Sequence, residues 1–430
     1  MTETAWATRE LGFDIVHTAS PVGRYVPDLV RPGLRRNPKR AHLLVSTVLG
    51  KHIPTAPSVI IAAADALGDL VLDALGPDHH DVVALGFAET ATGLGHCVAA
   101  RIGATCYLHS TRRVVPGVEI FAAFEEGHSH ATSHMLQPTA PDLFANSLPL
   151  ILIDDEISTG ATAVDAIRAL HQHFPRRHYI IAALVDMRTD THRRAVAEAA
   201  SELGAQIDFV SLASGSAVLP AGLVDAVAGL PDPVLNPGSD RTGSVESIVL
   251  PWPATVPDGG RHGFLHSDAE SFDAAVLSAA DTLDAALDPE RAIVVVGHEE
   301  LMYLPLRVAA ELEQRGREVL FQTTTRSPAY VLDVDGYPLR RGFRFAAPEV
   351  GEDAPRYLYN AQVTRGADTG DAPADAAQIV VVLDEPADTP LLRAPGGLLD
   401  VLTAAGEDVL VALVAGTDPA ALRAARKDLV

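Results

Sequence analysis

The fold is decided by the stretch Leu148-Pro-Leu-Ile-Leu-Ile-Asp154-Asp155-Glu156-Ile157-Ser158-Thr159-Gly160-Ala161-Thr162, which continues into 163–167. Its apolar run predicts a strand buried on both faces, as in parallel sheets. Two carboxylates end the strand, and a turn of small and hydroxyl residues leads into helical periodicity. A strand, a loop and a helix N-terminus in this order form a phosphate site, because free backbone N–H groups and the positive end of the helix face the anion.

The residues of the turn suit different parts of a phosphorylated sugar. Gly160 allows close approach of the backbone to the anion, and Ser158, Thr159 and Thr162 offer hydroxyl donors. The two carboxylates would repel phosphate, so they suit sugar hydroxyls or a divalent cation carried in with the substrate. An ordinary strand–loop–helix crossing with incidental acids is the alternative. A Walker P-loop is excluded, since Gly-Lys-Ser/Thr is missing.

This stretch resembles the phosphoribosyl-diphosphate (PRPP) motif of type I phosphoribosyltransferases: apolar residues, two acids, then Thr-Gly-x-Thr. The resemblance implies an α/β fold, a doubly wound parallel sheet with a flexible hood loop. It implies that Asp154 and Asp155 hold the ribose hydroxyls and, indirectly, the Mg²⁺ ion bound by PRPP. The residues implied to hold the 5-phosphate are Ile157, Ser158, Thr159, Gly160, Ala161 and Thr162.

The composition limits the partners of the chain. Its 430 residues are enough for two domains, and 33 basic against 56 acidic residues give a net charge of −23. This charge argues against nucleic-acid and anionic-membrane partners. Cys97 and Cys106 are too few for a disulfide framework. The start has no signal pattern and no apolar run has membrane-spanning length, so we predict a cytoplasmic protein.

Basic residues concentrate in the first 60 positions, which are Pro-rich from Pro21 to Pro57. Two segments, 37–40 (Asn-Pro-Lys-Arg) and 50–52 (Gly-Lys-His), could form a cationic lip for a diphosphate or an anionic acceptor. The alternative is an arm that packs against a second copy of the chain in a homodimer. The residues concerned are Arg24, Arg31, Arg35, Arg36, Lys39, Arg40 and Lys51.

Two further strand ends carry candidate pyrophosphate ligands. In the family that the motif resembles, the loop after the strand 81–85 holds pyrophosphate on backbone amides, and Phe87, Ala88, Glu89 and Thr90 occupy that loop here. Glu89 is an unusual acid for an anion site; it could contact the metal or the acceptor, or cap the helix. After the strand 105–109, Arg112 and Arg113 are expected to neutralise pyrophosphate.

The segment 116–136 resembles the mobile hood that closes over PRPP and excludes water. Some family members carry a catalytic lysine there. Since this segment has none, a histidine, His128, or an arginine is expected to replace it. The alternative for His128, His130 and His134 is a metal site, although no cysteine accompanies them.

The second half of the chain resembles a degenerate copy of the first. Gly297-His298-Glu299-Glu300 corresponds to 86–89, Thr324-Thr325-Arg326-Ser327 to 110–113, and Asp384-Glu385 to Asp154-Asp155. The next residues, 386–389, lack glycine and add an acid, so we predict that this copy does not bind PRPP. Chance is the alternative explanation, because all doubly wound folds repeat strand and helix.

The second half also resembles the domain named for Thr-Arg-Ser-Pro (TRSP), present here at 325–328, which accompanies phosphoribosyltransferases in bacterial operons associated with tellurite resistance and stress. We predict a phosphoribosyltransferase domain with a basic arm at 1–235, a linker at 236–260 and a TRSP-like α/β domain at 261–430. Polar residues at its strand ends indicate a second site or, equally, caps at a domain interface. They are Glu299, Glu300, Thr324, Thr325 and Arg326.

The resulting functional prediction is a Mg²⁺-dependent phosphoribosyltransferase of the glycosyltransferase class. It would transfer the 5-phosphoribosyl group of PRPP to a small, nitrogenous acceptor and release pyrophosphate, in the synthesis of a nucleotide-like metabolite. One alternative is the reverse reaction, pyrophosphorolytic or phosphorolytic cleavage of a nucleotide. Another is a regulator that binds PRPP or a nucleotide without catalysis.

Overall fold

Two sheets of mostly parallel strands form the framework of the computed structural model, which describes residues 4–77, 81–89, 91–115, 117–125, 133–361 and 377–427. The strands are β1 (Asp14–Ala19), β2 (Val30–Leu34), β3 (His42–Ser46), β4 (Val83–Gly86), β5 (Cys106–His109), β6 (Ala122–Glu125), β7 (Ser133–Leu136), β8 (Leu150–Ile157), β9 (His178–Asp186), β10 (Gln206–Val218), β11 (Val245–Leu250), β12 (Phe264–Leu265), β13 (Ile293–Gly297), β14 (Val319–Thr323), β15 (Gly342–Phe345), β16 (Arg356–Tyr359), β17 (Gln378–Asp384) and β18 (Val409–Val414). The helices are α1 (Trp6–Leu11), α2 (Val26–Leu29), α3 (Pro57–Leu75), α4 (Thr92–Arg101), α5 (Ala161–His171), α6 (Asp190–Leu203), α7 (Leu223–Ala228), α8 (Ala269–Ala286), α9 (Tyr303–Gln314), α10 (Pro390–Arg393), α11 (Leu398–Ala404) and α12 (Pro419–Ala425).

The first sheet has the strand order β1-β10-β9-β8-β4-β5-β12. Its inner strands are parallel, and β1 and β12 are antiparallel edges. Helices α3 and α5 pack on separate core clusters, so both faces of the sheet are covered. Ile153 of β8 pairs with Gly86 of β4, which places the carboxyl ends of these strands side by side. The predicted doubly wound α/β fold is confirmed, and its ligand-binding edge is the one that carries the predicted motif.

The second sheet is parallel throughout, with the order β11-β18-β17-β13-β14. This order matches β10-β9-β8-β4-β5 when β13 is aligned with β4 and β17 with β8. Only the outer strand differs in its place along the chain. In the first sheet β10 follows β9, whereas in the second sheet β11 comes before all the other strands. The shared order supports the predicted degenerate copy.

The register of the sheets corrects one detail of that correspondence. Leu152 and Val381 occupy equivalent places, since each pairs with the residue that precedes the glycine ending β4 or β13. Asp384 therefore corresponds to Asp155, and a leucine takes the place of Asp154. The predicted alignment of Asp384 with Asp154 was wrong by one residue. A strand buried along its whole length has no polar alternation, so its sequence gives no cue to register.

The two halves of the chain meet along the carboxyl ends of their strands. The predicted linker contains β11, and β12 extends the first sheet, so the chain crosses between the sheets before α8. Thr55, near the end of the basic arm, forms an antiparallel bridge with Phe321 of β14. The domain boundaries stay a prediction. None of the helices in the described ranges is long and apolar enough to cross a bilayer.

Candidate active site

The turn between β8 and α5 has the geometry of an anion cradle. Gly160 is the N-cap of α5 and has a φ of +83°, in the left-handed region that glycine adopts without strain. Thr159 Oγ1 accepts a hydrogen bond from Ala161 N at 3.2 Å and so fixes the turn. The N–H groups in the first turn of α5 have no acceptor within the helix, as at every helix start. The 5-phosphate role of 157–162 stays a prediction that this geometry supports.

Two adjacent carboxyl groups stand just before this turn. Asp154 Oδ1 accepts a hydrogen bond from Asp155 N at 2.9 Å. Burial, together with the neighbouring Asp155, raises the pKa of Asp154 well above its ordinary value. Burial also raises the pKa of Glu156, although the nearby Arg40 acts in the opposite direction. Hydroxyl donors or a cation would relieve the repulsion between these acids, as the predicted ribose and Mg²⁺ roles require.

The basic arm reaches this acidic edge through one of its two predicted segments. Arg40 Nη2 donates to Glu156 Oε1 at 2.6 Å, and Arg40 Nε donates to His42 Nε2 at 3.1 Å. Burial and the adjacent Arg40 lower the pKa of His42 to about 4, so His42 is neutral at pH 7 and can accept this bond. Segment 50–52 turns to the second half of the chain, where Gly50 O accepts from Thr323 N at 2.9 Å. The two predicted segments therefore do not form one lip: 37–40 lies at the acidic edge, whereas backbone pairing with β14 holds 50–52 against the second half of the chain.

Arg188 is a cation beside the turn that the sequence analysis did not select. Its Nε and Nη2 donate to the Asp186 carboxylate at 3.0 and 2.9 Å, and its guanidinium stacks on Phe209, 3.3 Å from the ring centre. A Cβ built on Gly160 would lie 3.4 Å from Arg188 Cδ, so the arginine stem packs against the cradle. Its only signal in the sequence was its position just after the buried strand that ends at Asp186.

Two backbone amides of the loop after β4 form hydrogen bonds within the protein. Phe87 N donates to Ile153 O at 3.2 Å, and Ala88 N donates to Ser110 Oγ at 2.9 Å. These two amides attach the loop to the sheet, because they lie where the strand ladder ends, and their pyrophosphate role stays a prediction that these bonds do not favour. Thr90 lies outside the described residues. Glu89 is buried, and its carboxylate points across the boundary between the two halves of the chain.

The two arginines after β5 differ in what they contact. Arg113 donates to Asp384 Oδ2 at 2.7 Å and to Glu349 Oε1 at 2.9 Å, both in the second half of the chain. These acids neutralise its charge in the ligand-free protein, so the predicted pyrophosphate role, which stays a prediction, would require the ion pairs to open. Arg112 donates its backbone N–H to Glu300 Oε1 at 2.8 Å. The pyrophosphate role of its side chain stays a prediction.

The polar residues selected in the second half converge on this boundary. The buried Glu299 binds the guanidinium groups of Arg326, at 2.8 Å, and Arg356. Thr324 Oγ1 accepts a hydrogen bond from Glu299 N at 3.1 Å. The remaining two residues, Glu300 and Thr325, bond to groups of the first half. This arrangement favours the interface alternative over a separate open site.

Near this boundary, one cluster of three residues has ligand atoms close enough together to hold a metal ion. Ligand atoms of His298, Glu299 and Glu349 lie within 4.8 Å of one another. Two guanidinium groups, those of Arg326 and Arg356, already neutralise Glu299. A divalent cation would compete directly with these charges, so we assign the group to the ion-pair network.

The predicted hood is described only in part. Strands β6 and β7 form an antiparallel hairpin. His128 and His130 lie outside the described residues, so the catalytic role of His128 stays a prediction. The buried His134 bonds to Ser110 Oγ through Nδ1 at 2.8 Å and stacks on Phe124. Its side chain therefore packs within the hairpin and attaches β7 to the loop after β5.

The buried carboxylates of the boundary predict acid sensitivity. Against the effect of burial, Arg261 and other cations lower the pKa of Glu300 to about 2. A carboxyl group with a depressed pKa in the folded state stabilises the protein above its unfolded pKa of about 4.3, and this contribution disappears as the pH falls through the folded value. In urea titrations, we expect Glu300→Gln to be less stable than wild type at pH 7 by up to about 3 kcal/mol. This difference should narrow between pH 5 and pH 2, and a constant difference would contradict the assigned shift.

The sheet, the Asp-Asp turn and the positive-φ glycine together define a phosphoribosyltransferase domain, and comparison with protein families agrees. Residues 29–216 match the family model of a phosphoribosyl transferase (PRTase_2). Residues 258–402 match the TRSP domain that lies C-terminal to PRTase_2. The chain therefore belongs to the PRTase_2 phosphoribosyltransferases that carry a TRSP domain, and it is an enzyme of the phosphoribosyltransferase class.

Comparison with solved structures found similarity to adenine phosphoribosyltransferases at low identity. The enzyme from Trypanosoma brucei, in complex with AMP, pyrophosphate and ribose-5-phosphate, is 16% identical, with 50% of this chain and 86% of that chain covered and a TM-score of 0.35. The Rhodothermus marinus enzyme is 16% identical over 43% of this chain and 94% of that chain, with a TM-score of 0.29. No curated protein matches the chain.

Proposed function

We propose that the chain is a Mg²⁺-dependent phosphoribosyltransferase that transfers the 5-phosphoribosyl group of PRPP to a small nitrogenous acceptor. The observation that supports this best is the turn 154–162, where two half-buried acids lie a few residues before a helix whose N-cap, Gly160, has a positive φ. A site that binds anion and sugar hydroxyls within a few residues fits a phosphoribosyl group. The family of the domain is consistent with this substrate.

Each part of PRPP has a candidate partner. The backbone N–H and hydroxyl groups of 157–162 hold the 5-phosphate, with Arg188 beside them. Asp154 and Asp155 accept hydrogen bonds from the ribose hydroxyls and stabilise the positive charge that develops on the sugar. The pyrophosphate is held by the backbone of Glu89 and Thr90 and by Arg112.

Oxygen ligands are those that Mg²⁺ prefers, and the acids at the end of β8 offer them, so the residues fit an ion that enters bound to PRPP. The ion, when bound, neutralises charge on the departing pyrophosphate. In the transfer, the acceptor nitrogen lone pair forms a bond to C1 of the ribose, and the C1–O bond breaks with its electron pair passing to pyrophosphate. The nitrogen proton leaves to solvent or to pyrophosphate. The enzyme contributes positioning, electrostatics and water exclusion.

The setting of the reaction is also part of the proposal. The resemblance described above points to the synthesis of a nucleotide-like metabolite in the cytoplasm, in bacterial stress responses that include tellurite resistance. The buried free thiols of Cys97 and Cys106 suit a reducing compartment. Net transfer and net nucleotide cleavage use the same site, so the direction of reaction is an outcome of the assay.

The Asp155→Asn substitution tests the proposal. We expect turnover, measured as pyrophosphate released from PRPP and Mg²⁺ with a panel of nitrogen heterocycles, to fall about 10- to 100-fold, because a charge-assisted hydrogen bond to the sugar is lost. The circular dichroism spectrum should not change. Asp225→Asn, an exposed aspartate on α7, is the control and should keep full turnover. Unchanged turnover in Asp155→Asn would refute the ribose role, and PRPP binding without turnover in wild type would favour a regulator.

A further inference from the structure

Glu89, in the loop proposed to hold pyrophosphate, is bound by the Thr-Arg pair of the TRSP motif. Thr325 Oγ1 donates to Glu89 Oε1 at 2.5 Å, and Arg326 N donates to Oε1 and Oε2 at 2.9 and 3.2 Å. Glu89 is only 8% exposed. A buried carboxylate is costly unless hydrogen bonds satisfy it, and these donors come from the other half of the chain.

An equivalent contact joins a glutamate of the second half to donors of the first half. Thr111 Oγ1 donates to Glu300 Oε2 at 2.7 Å, and Arg112 N donates to Glu300 Oε1 at 2.8 Å. The residues are equivalent, since each glutamate lies three positions after the glycine that ends β4 or β13. Each threonine likewise lies two positions after the end of β5 or β14.

Neighbouring hydrogen bonds repeat as well. Ala88 N donates to Ser110 Oγ at 2.9 Å, and at the equivalent place Glu299 N donates to Thr324 Oγ1 at 3.1 Å. Each half also carries an antiparallel strand pair, β6–β7 or β15–β16, that is joined to the loop after β5 or β14. The backbone bridges run from Thr111 to β7 and from Thr325 to β16. The two halves are therefore related by an approximate two-fold operation, like the subunits of a symmetric dimer.

We propose that the TRSP motif is a positioning element for the active site of the first half: Thr325 and Arg326 anchor Glu89 and so fix the loop that receives pyrophosphate. This inference rests on the proposed function. It explains why an acid stands in a loop that receives an anion. The carboxylate does not face the pyrophosphate; it anchors the loop to the second domain.

The test is Thr325→Val in the full-length chain, which removes the hydroxyl at nearly constant shape. We expect PRPP with Mg²⁺ to bind about tenfold more weakly in calorimetric titration, since the buried carboxylate loses a donor. We also expect faster hydrogen–deuterium exchange of amides 86–89 in the ligand-free protein. Thr325→Ser keeps the hydroxyl and should restore both values.

Ser58→Ala is a matched control. Ser58 Oγ and N donate to the two Glu313 carboxylate oxygens, each at 2.8 Å, so a hydroxyl and a backbone N–H bind a carboxylate across the same boundary. This contact joins the start of α3 to the end of α9, away from the loop that follows β4. Its loss should leave PRPP affinity and loop exchange unchanged.

The pair Glu89→Gln and Thr325→Val separates anchoring from direct substrate contact. If Glu89 acts through Thr325, the double variant should bind PRPP no more weakly than the weaker single variant. Additive losses, or unchanged loop exchange in Thr325→Val, would overturn the proposal. If wild type bound no PRPP, the proposed function would fail and the positioning role with it, whereas exchange would still report the anchor.

Discussion

Replacing Gly160 with valine is expected to abolish PRPP binding while the protein still folds. Gly160 has a φ of +83°, which a β-branched residue adopts only at a cost of roughly 1–3 kcal/mol. The strain is relieved when the turn moves to negative φ, and that movement turns the N–H groups of the first turn of α5 away from the phosphate. The added side chain would also press on the stem of Arg188. Calorimetric titration of PRPP with Mg²⁺ measures the effect directly.

Gly204→Val provides a matched control for this substitution. Gly204 ends α6 with a φ of +62°, and a Cβ there would meet nothing within 4 Å. Both variants therefore carry similar backbone strain, but only one carries it at the cradle. We expect Gly204→Val to lose similar thermal stability and to keep wild-type PRPP affinity. Equal PRPP binding by both variants would show that residues 157–162 do not bind the 5-phosphate.

The sequence predicted the parts of the site that depend on local chemistry. A buried apolar strand, two acids and a glycine at a helix start are features of adjacent residues, so 150–162 specify their own turn. The copy in the second half was also predictable from repeated strand-end motifs. It lacks the cradle, because Thr389, with a φ of −115°, caps the helix where Gly160 has positive φ.

The partners of charged residues were not predictable, because they come from distant parts of the chain. Glu89 binds groups more than two hundred positions away, and Arg113 pairs with acids of the second half. Both residues look like ligands for a small molecule until the opposing sheet edge is known. The place of Arg188 beside Gly160 depends likewise on the packing of neighbouring loops.

Arg113 also breaks the approximate symmetry of the two halves. Its guanidinium lies against Asp384, the counterpart of Asp155, and so neutralises the acid that a second ribose site would need. At the place equivalent to Arg113, the second half has Ser327, which is too short to act in this way on the first site. We therefore expect one PRPP per chain, bound in the first half.

The Arg113→Leu substitution is expected to cause the largest loss of stability. Arg113 binds Asp384 at 2.7 Å and Glu349 at 2.9 Å with a side chain that is 16% exposed. Removing one partner of a buried ion pair leaves uncompensated charge and costs about 3–5 kcal/mol. We expect the free energy of unfolding in urea to fall by about this amount at pH 7. Adding Asp384→Asn should restore part of it, because one buried charge is then removed.

Arg168→Leu is the control, since Arg168 pairs with Glu202 at 3.1 Å on the surface and its loss should cost no more than about 1 kcal/mol. Titration with PRPP then distinguishes the two roles considered for Arg113. If its charge serves the boundary, the folded Arg113→Leu protein should keep PRPP affinity at temperatures well below its unfolding transition. If PRPP affinity fell while stability stayed at the wild-type value, Arg113 would be a pyrophosphate ligand, and the ion pairs across the boundary would have to open when substrate binds.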